Sequence, residues 1–263
     1  MNSFLFRPFV LFIALLSILI KAGYSQNADM NSKLINGKAL THKAVVLYNK
    51  NLLSEADSVY REILKSDTSN VSALYGLTFA EYRFLEMSLQ KANEGLFDEH
   101  YQTALDNANK LILTNKCPSE GKSVLAGIYL MKVAKNPMTA VTLFSEMNEL
   151  LDDAESADSL NPITYIVRGE MQYNTPKIFG GSVENASKNF SKAAQICEQN
   201  PDSRYVDMEW EHIEALAWLG QSLMKLENYD AAKFAYQKAL SIQPDFGWVK
   251  YVLLPEVEKK TQN

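Results

Sequence analysis

Two short stretches of this chain combine residue types at spacings that could do chemistry. The first is Gly180-Gly181, within "TPKIFGGSVENASKNF" from Thr175 to Phe190. Glycines ahead of a helix leave backbone N–H groups able to point at an anion, where the helix dipole is positive. Phe179, Gly180, Gly181 and Ser182 therefore form a candidate ligand loop. A phosphate loop also needs further glycines, a preceding strand and a lysine or metal-binding hydroxyl after the turn. Here Lys177 stands before the glycines, so we read the stretch first as a long connection between two helices, with a ligand contact as the alternative. The second is Glu209-Trp210-Glu211-His212, a Glu-x-x-His spacing that puts both side chains on one helix face, as carboxylate-bridged di-iron sites require. Those sites need a second such pair and two more glutamates, and neither His42 nor His100 has a glutamate three residues earlier. We assign no metal ligands to the motif and read it as a solvated helix face.

Nothing else in the chain carries a reaction. There is no G-x-S-x-G and no H-E-x-x-H, and three histidines are few for imidazole acid–base work. We assign no catalytic residue and no cofactor, and expect no enzyme. Cys117 and Cys197 allow one disulfide or two free thiols, and the sequence does not choose between them.

The elements that would position such residues are helical throughout. Glycine and proline are scarce, apolar residues recur at spacings of three and four, and no alternating strand pattern persists. One unit stands out, "IEALAWLGQSLMKLENYDAAKFAYQKALSIQP", residues 213–244. Leu216, Leu219, Gly220 and Leu223 mark a first helix; Tyr229, Ala232, Tyr236, Ala239 and Pro244 mark a second. Gly220 and Ala232 are small where two helices cross closely, Tyr236 fills the space beside them, and Pro244 stops the second helix. The same spacing recurs more loosely. The first unit has Leu40, Ala44 and Leu47, then Ala56, Tyr60 and Ile63; the third has Gly127, Ala140, Phe144 and Met147; the fourth has Gly169, Ala186, Phe190 and Ala193. Between the helices of the second unit, "LEMSLQKANEGLFDEH" reads as an insertion or a lengthened pair. Counted from Gly169, the fourth unit's alanine arrives five residues late, so the glycine pair extends the connection, with Pro176 ending one helix and Ser182 capping the next.

Residues 213–244 resemble the tetratricopeptide repeat, and the looser units extend that likeness over nearly the whole chain after its leader. More narrowly, the "TP…FGG…A…F…A" insert and the "PDFGWVK" ending resemble exported bacterial proteins of this repeat class. The resemblance implies an all-α solenoid of about five helical hairpins, with units near 37–68, 71–116, 121–154, 161–201 and 207–244 and a capping helix at 246–260.

Composition limits where this domain works and what it meets. Arg7, an apolar run from Phe9 to Ile20, and Gly23 and Ser25 before Gln26 follow the order of a secretory signal peptide, residues 1–25. We expect a single exported domain over 26–263, periplasmic or secreted, with no stable membrane insertion once the signal is cut. The signal would remove two of the 26 basic residues and none of the 31 acidic ones, leaving the chain more acidic than its whole-length −5. An acidic surface argues against a nucleic-acid partner.

By the resemblance, the first helix of each hairpin lines a concave groove that docks a protein or peptide segment. Its register offers Lys38, Thr41 and Tyr48 in the first unit and Glu214, Gln221 and Met224 in the last. These are mixed in character and form no basic clamp for a terminal carboxylate. The other reading is a small-molecule-binding accessory of a transport system, similar to tripartite transporter T components, with a closed apolar pocket near Phe179 to Gly181.

Overall fold

The computed structural model of the protein describes residues 28–200 and 210–261, so the expected signal peptide lies outside the described residues. A helix α1 over 28–47 is followed by α2 (Lys50–Ser66), α3 (Val71–Met87), α4 (Gly95–Leu113), α5 (Pro118–Lys135) and α6 (Ala140–Ala157). Then come α7 (Pro162–Asn174), α8 (Val183–Gln199), α9 (Trp210–Lys225) and α10 (Tyr229–Ile242). A π-helical turn, Val249–Leu253, leads into α11 (Leu254–Thr261). Among the described residues there is no strand. Successive helices pack as antiparallel pairs and the pairs stack, with α3 on α5, α5 on α7 and α7 on α9. The odd-numbered helices thus run parallel along one side of the stack and the even-numbered ones along the other.

The helix starts are written locally. Asn49, Asn70, Asn161 and Asn228 cap α2, α3, α7 and α10 by accepting from the first-turn N–H groups. Pro118 and Pro162 occupy first-turn positions whose N–H would be unused. The "LEMSLQKANEGLFDEH" segment is not an inserted element. Its first half completes α3, a 3-10 turn spans Lys91–Asn93, and its second half opens α4 early.

The pairs lock where a glycine faces a ring. A Cβ on Gly220 would sit 2.2 Å from the Tyr236 ring, and one on Gly169 would sit 2.5 Å from Phe190. Tyr60 of α2 lies between Gly37 and Gly76, so one ring joins the first hairpin to the second. Gly127 departs from this order: it receives Tyr82 of α3, with a built Cβ 2.9 Å from that ring, so the ring crosses between hairpins. Leu47, expected in the first unit's core, is 46% exposed; the close approach in α1 is made ten residues earlier, at Gly37.

The stack curves until its two ends meet. His42 of α1 hydrogen-bonds Gln243, 3.2 Å away and 201 residues on. Val46 packs in one cluster with Phe246, Val249 and Leu253 of the C-terminal cap, and its carbonyl borders Gly247. As a result α3 and α5 are buried on nearly every side. The concave face expected as an open groove is instead an enclosed inner face. The reason is geometric: contacts such as Phe79 with Trp210, centroids 4.0 Å apart, span from the second hairpin to the fifth.

Candidate functional site

The enclosed inner face is polar at its centre. Arg83 of α3 forms ion pairs with Glu86, at 2.6 Å, and with Glu214 of α9. The flat guanidinium also lies beside the stacked rings of Phe79 and Trp210, its carbon 5.3 and 5.5 Å from their centroids. Tyr82 passes over Gly127 and donates its hydroxyl to Glu170 of α7 at 3.4 Å. Three helices thereby bring Glu86, Glu170 and Glu214 together around one arginine. By contrast Glu81, also on α3 and fully buried, faces the even-numbered helices, where Arg61 and His100 hold it.

Electrostatics at the centre follow from burial. Burial pushes the Glu86 carboxyl up to about 7 even though Arg83 pulls it down. Burial and then the charge of Glu86 hold Glu170 well above the usual carboxylate range. Burial opposes the charge of Arg83, but Glu214 and Glu86 more than offset it, so its pKa rises. Deeper on α9, Glu211 has zero exposure and neither carboxylate oxygen has a hydrogen-bond partner. Burial, then Glu120 and Glu214, push its carboxyl well up.

Because the odd helices are parallel, their C-terminal ends gather on one rim of this face. Tyr48 closes α1 there, 48% exposed and in the left-handed backbone region at φ 50°. Burial and then the charge of Glu86 raise its phenol pKa. Tyr173 ends α7 and Gln221 and Lys225 end α9; the Tyr173 hydroxyl donates to Gln221 at 3.4 Å. The Lys225 ammonium lies 3.5 Å from the Tyr173 ring centroid and pairs with no carboxylate among the described residues. Trp218 meets Tyr173, Phe190 and Trp248 at centroid distances of 5.4, 5.8 and 5.3 Å, continuing the aromatic wall to the cap.

The six groove positions read from the sequence divide on this geometry. Thr41 is buried, bonded to the Gly37 carbonyl and the Tyr60 hydroxyl, and Glu214 is buried against Arg83. Both are turned inward, away from any surface a partner could touch. Tyr48 and Gln221 stand at the rim, Met224 is half-buried against the last hairpin, and Lys38 is half-buried on α1. The sequence reading missed Tyr82, Arg83, Glu86 and Glu170. A signal was present: α3 reads "LYGLTFAEYRFLEM" with no wholly polar face, the mark of a helix enclosed on both sides.

The glycine loop is a connection. Gly180 takes φ 91°, and a Cβ on Gly181 would fall 1.8 Å from the Thr175 carbonyl oxygen. The N–H groups of Gly180, Gly181 and Ser182 are already bonded to Lys177, Pro176 and Gln172. Ser182 caps α8 by accepting from Asn185 at 3.1 Å. Phe179 does not line a closed apolar pocket; it is 70% exposed, and Ile178 beside it is exposed too.

Glu209 lies outside the described residues, and His212 faces Glu198 at 3.4 Å. Among the described residues no group of three or more His, Cys, Asp or Glu is arranged to hold a metal ion. No described helix is long and apolar enough to cross a membrane. Cys117 and Cys197 are not joined in a disulfide.

Residues 213–246 match the tetratricopeptide repeat family. The fold is similar to a thermophilic tetratricopeptide repeat protein of Thermus thermophilus, with TM-score 0.55 and 19% identity over 86% of this chain and 100% of that one. It is also similar to a chain of the APC/C hetero-tetramer Cut9–Hcn1, with TM-score 0.56 and 16% identity over 90% of this chain and 41% of that one. At these identities the likeness speaks for the fold. No curated protein sequence matches the chain. The chain has the fold of a tetratricopeptide-type helical solenoid.

Proposed function

We propose that this scaffold is an exported, non-enzymatic protein that binds a protein or peptide partner at the rim of its inner face. The observation that carries the reading is the rim itself. Tyr48 and Tyr173 stand there part-exposed at the ends of α1 and α7, with Trp218 of α9 and Trp248 part-exposed alongside, near the polar groups of Gln221 and Lys225. Part-exposed aromatic side chains are frequent anchors of protein recognition, since they bury large area for little lost side-chain freedom. A rigid rim also loses little ordering entropy when a segment docks. Tyr48 keeps a left-handed backbone although it is not glycine, a local strain of the kind that collects at binding sites. Export rests on the order of residues 1–25.

Site-directed photo-crosslinking in the producing cell tests this. A photoreactive phenylalanine analogue replacing Tyr48 or Tyr173 should yield a discrete adduct. The same analogue replacing Phe234, which is exposed on α10, should not. Adducts of equal yield from all three positions, or from Phe234 alone, would refute the assignment to the rim.

A further inference from the structure

The two ends of the stack are differently furnished. At one end lie the five connections that join an odd-numbered helix to the next even one, and each leaves a large apolar side chain in water. Leu47 does so at the end of α1, Leu89 after α3 and Leu226 after α9. The connections after α5 and α7 go furthest. Each runs through a short 3-10 turn, and Met138, Ile178 and Phe179 stand on those turns 78%, 85% and 70% exposed. Because α5 packs on α7, the two turns are neighbours. Apolar side chains left in water at every turn of one end mark a surface that something covers. Charge points to what that is. The same five connections carry an exposed lysine within them or at their edge: Lys50, Lys91, Lys135, Lys177 and Lys225. Helix dipoles do not account for the set. Lys135 and Lys225 end helices, where a cation suits the dipole, but Lys50 opens α2, where it opposes it, and Lys91 and Lys177 lie in 3-10 turns. Glu94 and Glu227 are the acids in these connections. At the opposite end the described connections carry Asp67, Asp158 and Asp245 with one cation, Lys116. In a chain of net charge −5, cations thus outnumber acids at the end that shows the apolar tips.

We propose that this end of the stack docks on an anionic lipid bilayer, with Met138, Ile178 and Phe179 entering the headgroup layer and the lysines resting on the phosphates. The closed stack favours a bilayer over a protein here. It sets the five turns around a ring, separated by polar residues such as Asn49, Gln90 and Asn136. A bilayer is flat, laterally uniform and deformable, so it meets all the turns without a matching shape, and lysine stems lie along its boundary. Shallow apolar insertion and attraction to anionic lipids add together in such binding. The contact is peripheral, and no described helix is of a kind to span. The inference goes beyond the partner reading and does not depend on it; a segment reaching Tyr48 and Tyr173 would come from the membrane side.

Cosedimentation with lipid vesicles tests this on residues 26–263, which contain every helix of the fold. Phosphatidylcholine vesicles with about one-third phosphatidylglycerol should bind the protein roughly tenfold more tightly than phosphatidylcholine alone, and about 0.5 M salt should release much of it. The double variants I178S/F179S and K135Q/K177Q should each lose most of the binding, whereas L113S, 79% exposed at the opposite end, should not. All these positions are exposed, so matching thermal melts would show that the fold is kept. Equal binding to both vesicle types, no sedimentation with either, or binding unchanged in both double variants would overturn the proposal. So would the result expected of a protein seated on this end, in which vesicles bring down nothing while I178S/F179S abolishes the crosslinked adduct from Tyr173. The partner reading stands or falls separately, on the adducts from Tyr48 and Tyr173, whatever the vesicles bind.

Discussion

Arg83→Met tests the electrostatic account of the inner face most directly. The substitution keeps a long unbranched side chain beside Phe79 and Trp210 but strips Glu214 and Glu86 of their shared cation. Removing one partner of a buried ion pair costs about 3–5 kcal/mol, because the remaining charge is left without compensation. With a urea slope of about 2–3 kcal/mol per molar, the unfolding midpoint should fall by roughly 1–2 M at pH 8. The deficit should shrink in acid. Burial holds Glu86 at about 7 in the folded protein, above its ordinary 4.5, with Arg83 pulling the other way. A carboxyl whose folded pKa is raised stabilises the fold fully below its unfolded value, and that contribution is lost as pH rises through the folded value. Without Arg83 the folded value climbs further, so the variant should approach the parent near pH 5 and diverge above pH 7. Urea titrations at pH 5 and pH 8, read by tryptophan fluorescence, give both numbers. Adding Glu86→Gln and Glu214→Gln to Arg83→Met should recover most of the loss at pH 8. A deficit below about 1 kcal/mol at pH 8, typical of an exposed pair, or one equal at both pH values, would refute this account.

Other expectations follow from single contacts. Gly181→Ala must displace the Thr175 carbonyl, 1.8 Å from the new Cβ, and should cost more than the roughly 1–2 kcal/mol that φ 91° imposes on Gly180→Ala; paired thermal melts would rank them. Gly127→Ala should push Tyr82 off its course and break the bond to Glu170, a loss of about 1–3 kcal/mol that Tyr82→Phe would partly share in urea unfolding. Val46→Asp places a carboxylate among Phe246, Val249 and Leu253, and should part the two ends, read as a larger radius of gyration in solution scattering. Burial and then Glu211 push the Cys197 thiol up, so iodoacetamide at pH 8 should alkylate Cys117 first, and mass spectrometry of tryptic peptides would show the order.

The last hairpin was plain in the sequence because its determinants are local. Gly220, Ala232 and Tyr236 define one helix crossing within a single unit, and Asn228 and Ser182 sit where side chains must cap. The glycine insert was equally legible once the repeat register was counted, since Pro176 and a left-handed Gly180 both end helices. The inner face was not. Register tells which side of α9 Glu214 and Gln221 occupy, yet whether that side is open depends on curvature summed over five hairpins. Small rotations at each interface decide it, and none has a short-range motif. Gly127 shows the same limit: its spacing marks a crossing glycine, but the ring it receives comes from the preceding hairpin.

The meeting of α1 with the C-terminal cap alters how stability is shared along the chain. An open array of repeats behaves as a row of dominoes: each unit feels its neighbours, and an end unit can fray alone. Here the row is bent into a circle, so the first and last hairpins are neighbours too. Fraying at one end exposes Val46 or Phe246 at the other, and the loss is felt twice. The contact joining His42 to Gln243 spans 201 residues, so it can form only after the units between have stacked, as the closing step of folding. Hydrogen exchange should then show α1 and α11 opening together, as one event, although they stand at opposite ends of the chain.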